Sequence, residues 1–264
     1  MRPLFFCTFV KIYPMINSVR NTVLFLLNKD NRGYIAPLEY NYFAKQAQLE
    51  IFEQYFSDYS KAVQLQNSRK KAIGHGDTVS QIQNKIDIFT VSSVLNYIDT
   101  EFSTDPSPGG ETDYFSLPSN LYKLINITYK GKIAQGVPTS KFDMLNSSNL
   151  TAPSITYPIY KRNGSNIFVR PLSIYYTAQT PQGAEPPLMC NYVRKPIDPV
   201  WGYNTINSDP VYNSDSSTDF EIPSSDETSL VIKICKLAGL SIRENDVVQA
   251  TTAMEGIEYQ KQNS

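Results

Sequence analysis

The chain has 264 residues, of which 41% are hydrophobic, with a formal net charge of −1 and a pI near 5.9. It is long enough to bury a substantial core in one or two domains. The near-neutral charge leaves no electrostatic footprint for nucleic acid, which usually demands a basic face. No run of about 18 apolar residues occurs, so neither a transmembrane helix nor a membrane partner is predicted.

The three cysteines and the N-terminus suggest an unsecreted protein. Cys7, Cys190 and Cys235 are far apart and odd in number, which argues against a disulfide framework or a zinc site and favours a reducing compartment. Residues 1–14 contain a short apolar run that Lys11 interrupts, and no signal-peptide cleavage pattern follows. We interpret these residues as a flexible arm or a start-site artefact.

Residues 15–102 are predicted to form an N-terminal helical block. Asn17 or Ser18 is expected to cap a first helix, and Pro37 suits the first turn of a second, longer one. A third helix is predicted to begin near Asp77. The second helix carries a wide apolar stripe, which must meet another helix or another subunit. The stripe consists of Leu38, Tyr42, Ala44, Leu49, Phe52, Tyr55, Phe56, Tyr59 and Val63.

Residues 103–223 are predicted to form an antiparallel β domain, which begins with a boundary loop from Ser103 to Asp113. Short β-prone runs alternate here with turns rich in Asn, Ser, Gly and Pro. Strands are predicted near Tyr114–Leu117, Lys123–Tyr129, Ile167–Pro171, Met189–Arg194 and Asp219–Ile222. Two long polar loops, Thr177 to Pro187 and Asn204 to Thr218, are predicted to be binding elements or segments that a partner orders.

Residues 224–264 are predicted to return to helix and to join the N-terminal helices in a bundle. Ser224 and Glu227 form a capping-box pattern, and Gly239 is placed to end that helix. A second helix is predicted to start at Asn245 or Asp246. The predicted fold class is therefore α+β, a helical bundle with an antiparallel β domain in the middle.

The chain offers little for catalysis, so we expect no enzyme and no cofactor. His75 is the sole histidine, and the pattern around it favours an interhelical turn over a site. Neither a phosphate-binding loop nor a His-Glu-x-x-His motif is present. Six carboxylates surround a Ser-rich loop, but their spacing differs from a calcium-binding loop, and a solvated acidic loop is the favoured interpretation. They are Asp209, Asp215, Asp219, Glu221, Asp226 and Glu227.

Arg194 and Trp201 flank two prolines, Pro196 and Pro199, in a stiff segment. Arg and Trp are enriched at interface hot spots, and proline reduces the ordering cost of association. The alternative is that Trp201 anchors the core of the β domain. The sequence leaves both interpretations open.

Seven segments follow one another along the chain: Val19-x-x-x-Val23, Gly33-Tyr-Ile-x-Pro-x-Glu39, Phe115-Ser-Leu-Pro-Ser-Asn-Leu-Tyr122, Tyr192-Val-Arg-Lys-Pro-x-x-Pro-x-Trp201, Phe220-Glu-Ile-Pro223, Leu230-Val-Ile-Lys-Ile-Cys-Lys-Leu-Ala-Gly-Leu240 and Val247-Val-Gln249. Their order resembles that of the tail adaptor, or head–tail ring, proteins of short-tailed, crAss-like bacteriophages.

This resemblance implies a structural virion protein without catalytic residues, assembled as a ring of twelve copies around the DNA channel. The portal protein and a tail nozzle or other tail ring would be its partners, and DNA would pass only as channel content. The alternative function is a tail fibre or glycan-binding accessory protein; a small hydrolase would depend on His75. The candidate interface residues are Phe52, Tyr55, Phe56, Tyr59, Arg194, Trp201, Leu230, Ile234, Leu237 and Met254.

Overall fold

A computed structural model describes residues 14–27, 35–67, 75–98, 113–178, 188–242, 251–257 and 260. The chain combines helices with a large, mostly antiparallel sheet, and it divides into two compact units. The helical unit comprises residues 1–86 and 196–264, and the sheet unit comprises residues 87–195. The predicted boundary loop from Ser103 to Asp113 lies outside the described residues except for Asp113.

The helices in chain order are α1 (Met15–Leu27), α2 (Pro37–Asn67), α3 (His75–Asp87), α4 (Thr139–Ser147), α5 (Ser173–Ala178) and α6 (Glu227–Ile242), followed by helical residues 251–257. The strands are β1 (Thr90–Val94), β2 (Asn96–Ile98), β3 (Tyr114–Ser116), β4 (Leu121–Tyr129), β5 (Lys132–Gly136), β6 (Ile159–Asn163), β7 (Asn166–Arg170), β8 (Met189–Arg194), β9 (Tyr203–Ile206) and β10 (Asp209–Tyr212). No helix in these described parts of the chain is long and apolar enough to cross a membrane.

The helical unit has α6 packed against both α1 and α2. Helix α1 begins at Met15, before the predicted caps Asn17 and Ser18, because a distant carboxylate satisfies its first amides. The backbone N–H groups of Met15 and Ile16 donate to Asp219, at 3.0 and 2.8 Å. An acceptor at this position offsets the unpaired amides and the positive end of the helix dipole. The cap of α1 is therefore supplied by a residue 204 positions away from Met15.

Two other helix boundaries differ from the sequence expectation. Helix α3 begins at His75, two residues before Asp77, and α6 continues through Gly239 to Ile242. Glycine permits a left-handed cap but does not impose one, and Gly239 is buried within the helix. The predicted start at Asn245 or Asp246 and nearly all of residues 1–14 lie outside the described residues.

The sheet unit contains one sheet of eight strands in the order β1-β8-β4-β5-β6-β7-β3-β2. Only β5 and β6 pair in parallel. The end strands β1 and β2 are separated in sequence by Leu95 alone, so the sheet curls until its two ends meet in one bent segment. The buried core includes Phe115, Ile127, Ile167 and Tyr175. Residues 90–98 thus extend the sheet, where the sequence predicted the end of the helical block.

The strands predicted around Tyr114, Lys123, Ile167 and Met189 are confirmed as β3, β4, β7 and β8. The strand predicted for Asp219–Ile222 is wrong, because side chains take the backbone donors that a ladder would need. The Phe220 N–H bonds the Asp219 carboxylate at 2.9 Å, and the Glu221 N–H bonds the Gln48 side chain at 3.1 Å. This segment belongs to the helical unit.

The two described cysteine thiols predict a loss of stability at alkaline pH. Cys190 and Cys235 are buried, and burial raises the pKa of each thiol from 9.0 to about 11. Unfolded thiols would ionise near pH 9 while folded ones stay protonated, so the unfolded state gains as pH rises from 9 to 11. We expect urea titrations to give a free energy of unfolding lower by about 1 kcal/mol per thiol at pH 10 than at pH 8.

The matched control for this prediction is the Cys190→Ala/Cys235→Ala protein. Its own stability will be lower, but the part of the pH dependence that comes from the thiols should vanish. The prediction fails when the wild-type and doubly substituted proteins lose equal stability between the two pH values.

Candidate interaction surface

Four of the predicted interface residues lie in the core of the chain. Phe52, Tyr55, Leu230 and Ile234 are buried, because α6 covers the aromatic stripe of α2 within the same chain. The stripe thus meets another helix, and these four side chains do not form a surface for a partner. Phe56, Tyr59 and Leu237 are half-buried, and Met254 is exposed in the helical residues 251–257.

Arg194 and Trp201 fall in different units. Arg194 ends β8 in the sheet unit, where its half-buried guanidinium lies 6.0 Å from the ring of Phe89. Trp201 is only 2% exposed and lies in the helical unit. Trp201 is therefore a core residue, as one interpretation held, but its core is that of the helical unit.

The indole of Trp201 is enclosed by α1 and α2. Its Nε1–H donates to the Asn17 side chain of α1 at 3.1 Å, and its backbone N–H donates to the Asn41 side chain of α2 at 2.8 Å. The buried guanidinium of Arg20 lies 3.7 Å from the indole centroid. A cation this close to a desolvated indole face gains about 2 kcal/mol from the ring quadrupole. These contacts fix the position of Trp201 against α1 and α2, and the next strand, β9, begins two residues later.

The strands β9 and β10 form a separate two-stranded hairpin directly after Trp201. Its first and last residues, Tyr203 and Tyr212, pair across the ladder and lie with their rings 5.7 and 6.0 Å from the Trp201 ring. A Cβ added to Gly202 would lie 2.5 Å from the carbonyl carbon of Ser216. Only glycine permits this approach of the two chain segments at the hairpin base.

The tip and one face of this hairpin are exposed. Asn207 and Ser208 form the two-residue turn with φ of 51° and 71°, the left-handed values that match the twist of paired strands. Ladder pairing places Asn204 opposite Val211 and Ile206 opposite Asp209, so these four residues share the face turned away from the paired tyrosines. Ile206 is 55% and Val211 is 45% exposed.

We define the hairpin face as Asn204, Ile206, Asp209 and Val211. An isolated two-stranded hairpin is only marginally stable in water. Here it is clamped by Trp201 and yet keeps apolar side chains in solvent. An exposed apolar group on a fixed support is typical of an interaction element.

The sequence predicted Asn204 to Thr218 as a polar loop with a binding role, and it missed the hairpin within it. Tyr, Thr, Ile and Val on both sides of Asn207-Ser208 were the available signal. Pro210 obscured it, since proline is disfavoured within strands, but an isolated hairpin has outer edges where a missing N–H is tolerated. The other predicted loop, Thr177 to Pro187, lies outside the described residues except for the end of α5.

Of the six acidic residues around this segment, Asp209 and Asp215 are exposed, and the four from Asp219 to Glu227 hold the helical unit together. Asp219 caps α1, and Glu221 accepts a hydrogen bond from the Ile197 N–H at 2.8 Å. Glu227 accepts one from the Ser18 hydroxyl at 3.0 Å. In the parts of the chain that the structure describes, no group of three or more His, Cys, Asp or Glu residues is arranged to hold a metal ion.

Asp226 is the most enclosed of these carboxylates. It accepts a hydrogen bond from the Tyr55 hydroxyl at 2.5 Å, and its two oxygens lie 2.8 Å from the Lys85 ammonium. Burial raises the pKa of the Tyr55 hydroxyl, and the hydrogen bond to Asp226 raises it further. The phenol thus remains protonated, and the cluster ties α2, α3 and the start of α6 together as a structural ion pair.

His75 begins α3, and its side chain lies outside the described residues. Among the described residues, the candidate site is a surface, namely the hairpin that Trp201 clamps and its exposed apolar and acidic face. A surface of this kind is typical of association with another macromolecule. No protein-family model matches the chain, and no curated protein matches it in sequence.

Proposed function

We propose that this chain is a structural protein of a short-tailed bacteriophage virion, with no catalytic role. It would act as a head–tail adaptor, forming a ring of twelve copies between the portal and the tail around the DNA channel. The order of sequence segments suggests this family, and the clamped, exposed hairpin is the structural observation that carries the proposal.

A ring adaptor needs elements that are rigid before assembly. Fixing a flexible segment on association costs free energy for each side chain and backbone bond that becomes ordered. The hairpin avoids much of that cost, because Trp201, Tyr203 and Tyr212 hold its base in the free chain. Its exposed Ile206 and Val211 then contribute about 25 cal/mol for each Å² of apolar area that a partner covers.

The helices would provide the body of each ring subunit. We propose that α1, α2 and α6 form a bundle with the helical residues 251–257, and the packing of α6 on α1 and α2 supports this arrangement. Portal protein would bind one side of the ring and a tail nozzle or other tail ring the opposite side. The formal net charge of −1 suits a channel wall along which DNA must slide.

The stoichiometry of the particle tests this function. Quantitative mass spectrometry of virions that carry this chain should give about one copy for each copy of portal protein. A ratio that corresponds to multiples of three would instead indicate a tail fibre or glycan-binding accessory protein, and absence of the chain from purified particles would refute a virion role.

A further inference from the structure

The extended segment that begins at Val200 and continues into β9 pairs along one of its two edges. Val200 exchanges backbone hydrogen bonds with Thr218, at 3.0 and 2.8 Å, and the Gly202 carbonyl accepts one, at 2.9 Å, from the residue after β10. Successive residues of a strand turn their backbone groups to opposite edges, so the even-numbered residues face β10 and the odd-numbered ones face away. We define the outer edge of β9 as the N–H and C=O groups of Tyr203 and Thr205.

The start of this segment is already paired on the side away from β10, by a side chain that bonds as a neighbouring strand would. Asn41 of α2 accepts a hydrogen bond from the Trp201 N–H at 2.8 Å and donates one to the Trp201 carbonyl at 3.5 Å. Further along, Tyr203 and Thr205 are exposed, and their outer-edge groups bond to no other described residue. The outer edge of β9 therefore offers donors and acceptors for another strand.

The opposite edge of the hairpin is blocked. Pro210 lies across the ladder from Thr205, so its backbone nitrogen lies on the outer edge of β10. Proline has no N–H to donate, and a proline on an edge strand opposes the addition of a further strand. A hairpin with one blocked and one open edge fits a third strand at β9 alone.

The chain contains a segment of matching chemistry directly before α1. Residues 4–13, Leu-Phe-Phe-Cys-Thr-Phe-Val-Lys-Ile-Tyr, lie outside the described residues, and seven of the ten are aromatic or β-branched. These residue types favour strands, and neither proline nor glycine interrupts them. Lys11 is the only charged residue among the ten. A segment this apolar and β-prone is an aggregation hazard unless it is paired within a fold.

The position of α1 brings the end of this segment close to the outer edge of β9. The Tyr40 hydroxyl of α2 donates to the Ile16 carbonyl at 3.2 Å, and the next residue, Asn41, is the one that pairs with Trp201. Thr205 lies four residues beyond Trp201, about 13 Å along the strand. The thirteen residues before Pro14 can extend over about 45 Å, so they are long enough to reach it.

We infer that residues 4–13 form a third strand on the outer edge of β9 in the same chain. The segment runs toward α1 while β9 runs away from it, so the two strands are antiparallel. Backbone hydrogen bonds join the segment to Tyr203 and Thr205. Its apolar side chains lie beside Tyr203 and Ile206, which are 37% and 55% exposed in the two-stranded hairpin.

The inference is independent of the proposed function, because it concerns how one chain completes its own sheet. It replaces the flexible arm or start-site artefact that the sequence alone suggested for these residues. A strand on the outer edge of β9 also leaves the hairpin face accessible, since the side chains of that face point out of the plane of the sheet.

Amide hydrogen exchange, measured by NMR on the full-length protein, tests the pairing. In a two-stranded hairpin the N–H groups of Tyr203 and Thr205 would face solvent, whereas a third strand should slow their exchange about tenfold or more. Removal of residues 2–12 should return both amides to fast exchange. Thr205→Pro should also expose the Tyr203 amide, because it removes a donor from the outer edge while the bonds between β9 and β10 remain.

Thr205→Val is the matched control, because it keeps both the N–H and a β-branched side chain, and the Tyr203 amide should stay protected. The buried residues Leu230 and Ile234 of α6 report on the fold, and their amides should exchange equally slowly in every variant. Combining Thr205→Pro with the removal of residues 2–12 should expose the Tyr203 amide no further than either change alone, since both disrupt the same pairing.

Three results would overturn the inference. Fast exchange of Tyr203 and Thr205 in the full-length protein would show that the outer edge of β9 is unpaired. Slow exchange that persists after removal of residues 2–12 would assign this edge to a different partner. Finally, isotopically labelled protein without residues 2–12 is mixed with unlabelled full-length protein. Protection of the labelled Tyr203 amide in this mixture would show that the segment pairs with a second copy and not with its own chain.

Discussion

Replacing Trp201 with alanine is expected to lower the free energy of unfolding of the helical unit by about 3–5 kcal/mol. The substitution removes a ring that is 2% exposed and leaves a cavity where α1, α2 and the hairpin meet. It also takes the indole face from the buried guanidinium of Arg20, 3.7 Å away. Urea titration followed by far-UV circular dichroism measures the loss.

The control is Trp201→Phe, which keeps an aromatic ring and removes the indole N–H that Asn17 accepts. It should cost far less, about 1–2 kcal/mol. Hydrogen exchange should also accelerate at the amides of Tyr203–Tyr212 in the alanine protein, because the hairpin loses its clamp. An alanine protein within about 1 kcal/mol of wild type would contradict the enclosed position of this ring.

Replacing Asp226 with alanine is expected to cost about 3 kcal/mol of unfolding free energy. The substitution leaves the Lys85 ammonium and the Tyr55 hydroxyl without the carboxylate that both contact. An uncompensated ammonium, 30% exposed in the side chain, loses part of its hydration without an ion partner in return. Urea titration of the purified variant gives the magnitude.

A double-mutant cycle separates the ion pair from the packing. In the Lys85→Met protein, the further substitution Asp226→Ala should lower the free energy of unfolding by about 1–2 kcal/mol less than it does in the wild-type protein. The reason is that no cation then remains unpaired. Asp58→Ala is the comparison, because its ion pair with Lys61 spans 3.6 Å and joins residues of neighbouring turns of α2, with side chains 25% and 46% exposed. It should cost less than about 0.5 kcal/mol. Equal costs for Asp58→Ala and Asp226→Ala would contradict the structural role of Asp226.

Local patterns in the sequence predicted the secondary structure wherever one short segment contains the whole signal. The helical period of α2, with Pro37 in its first turn, is one case, and the β-prone runs that became β4 and β8 are others. The same patterns predicted a chain that combines helices with an antiparallel sheet. Side-chain period and backbone propensity depend on neighbouring residues, so one sequence is enough to identify them.

For the four buried candidates on α2 and α6, the cover comes from the same chain, from a segment that is distant in the sequence. An apolar stripe on α2 requires cover, but its residues do not state whether another subunit or α6, more than 150 residues further on, provides it. The exposed hairpin face was missed for the opposite reason: its strands are short, and Pro210 concealed their alternation.

The sequence by itself determined the near-neutral charge and the positions of the helices α2 and α6 and of the strands β3, β4, β7 and β8. Only the tertiary structure decided that Trp201 is buried against α1 and α2, that Asp219 caps α1, and that Asp209 remains exposed beside Ile206 and Val211. The physical reason is that burial and pairing depend on which distant segments approach, and packing of the whole unit sets that approach.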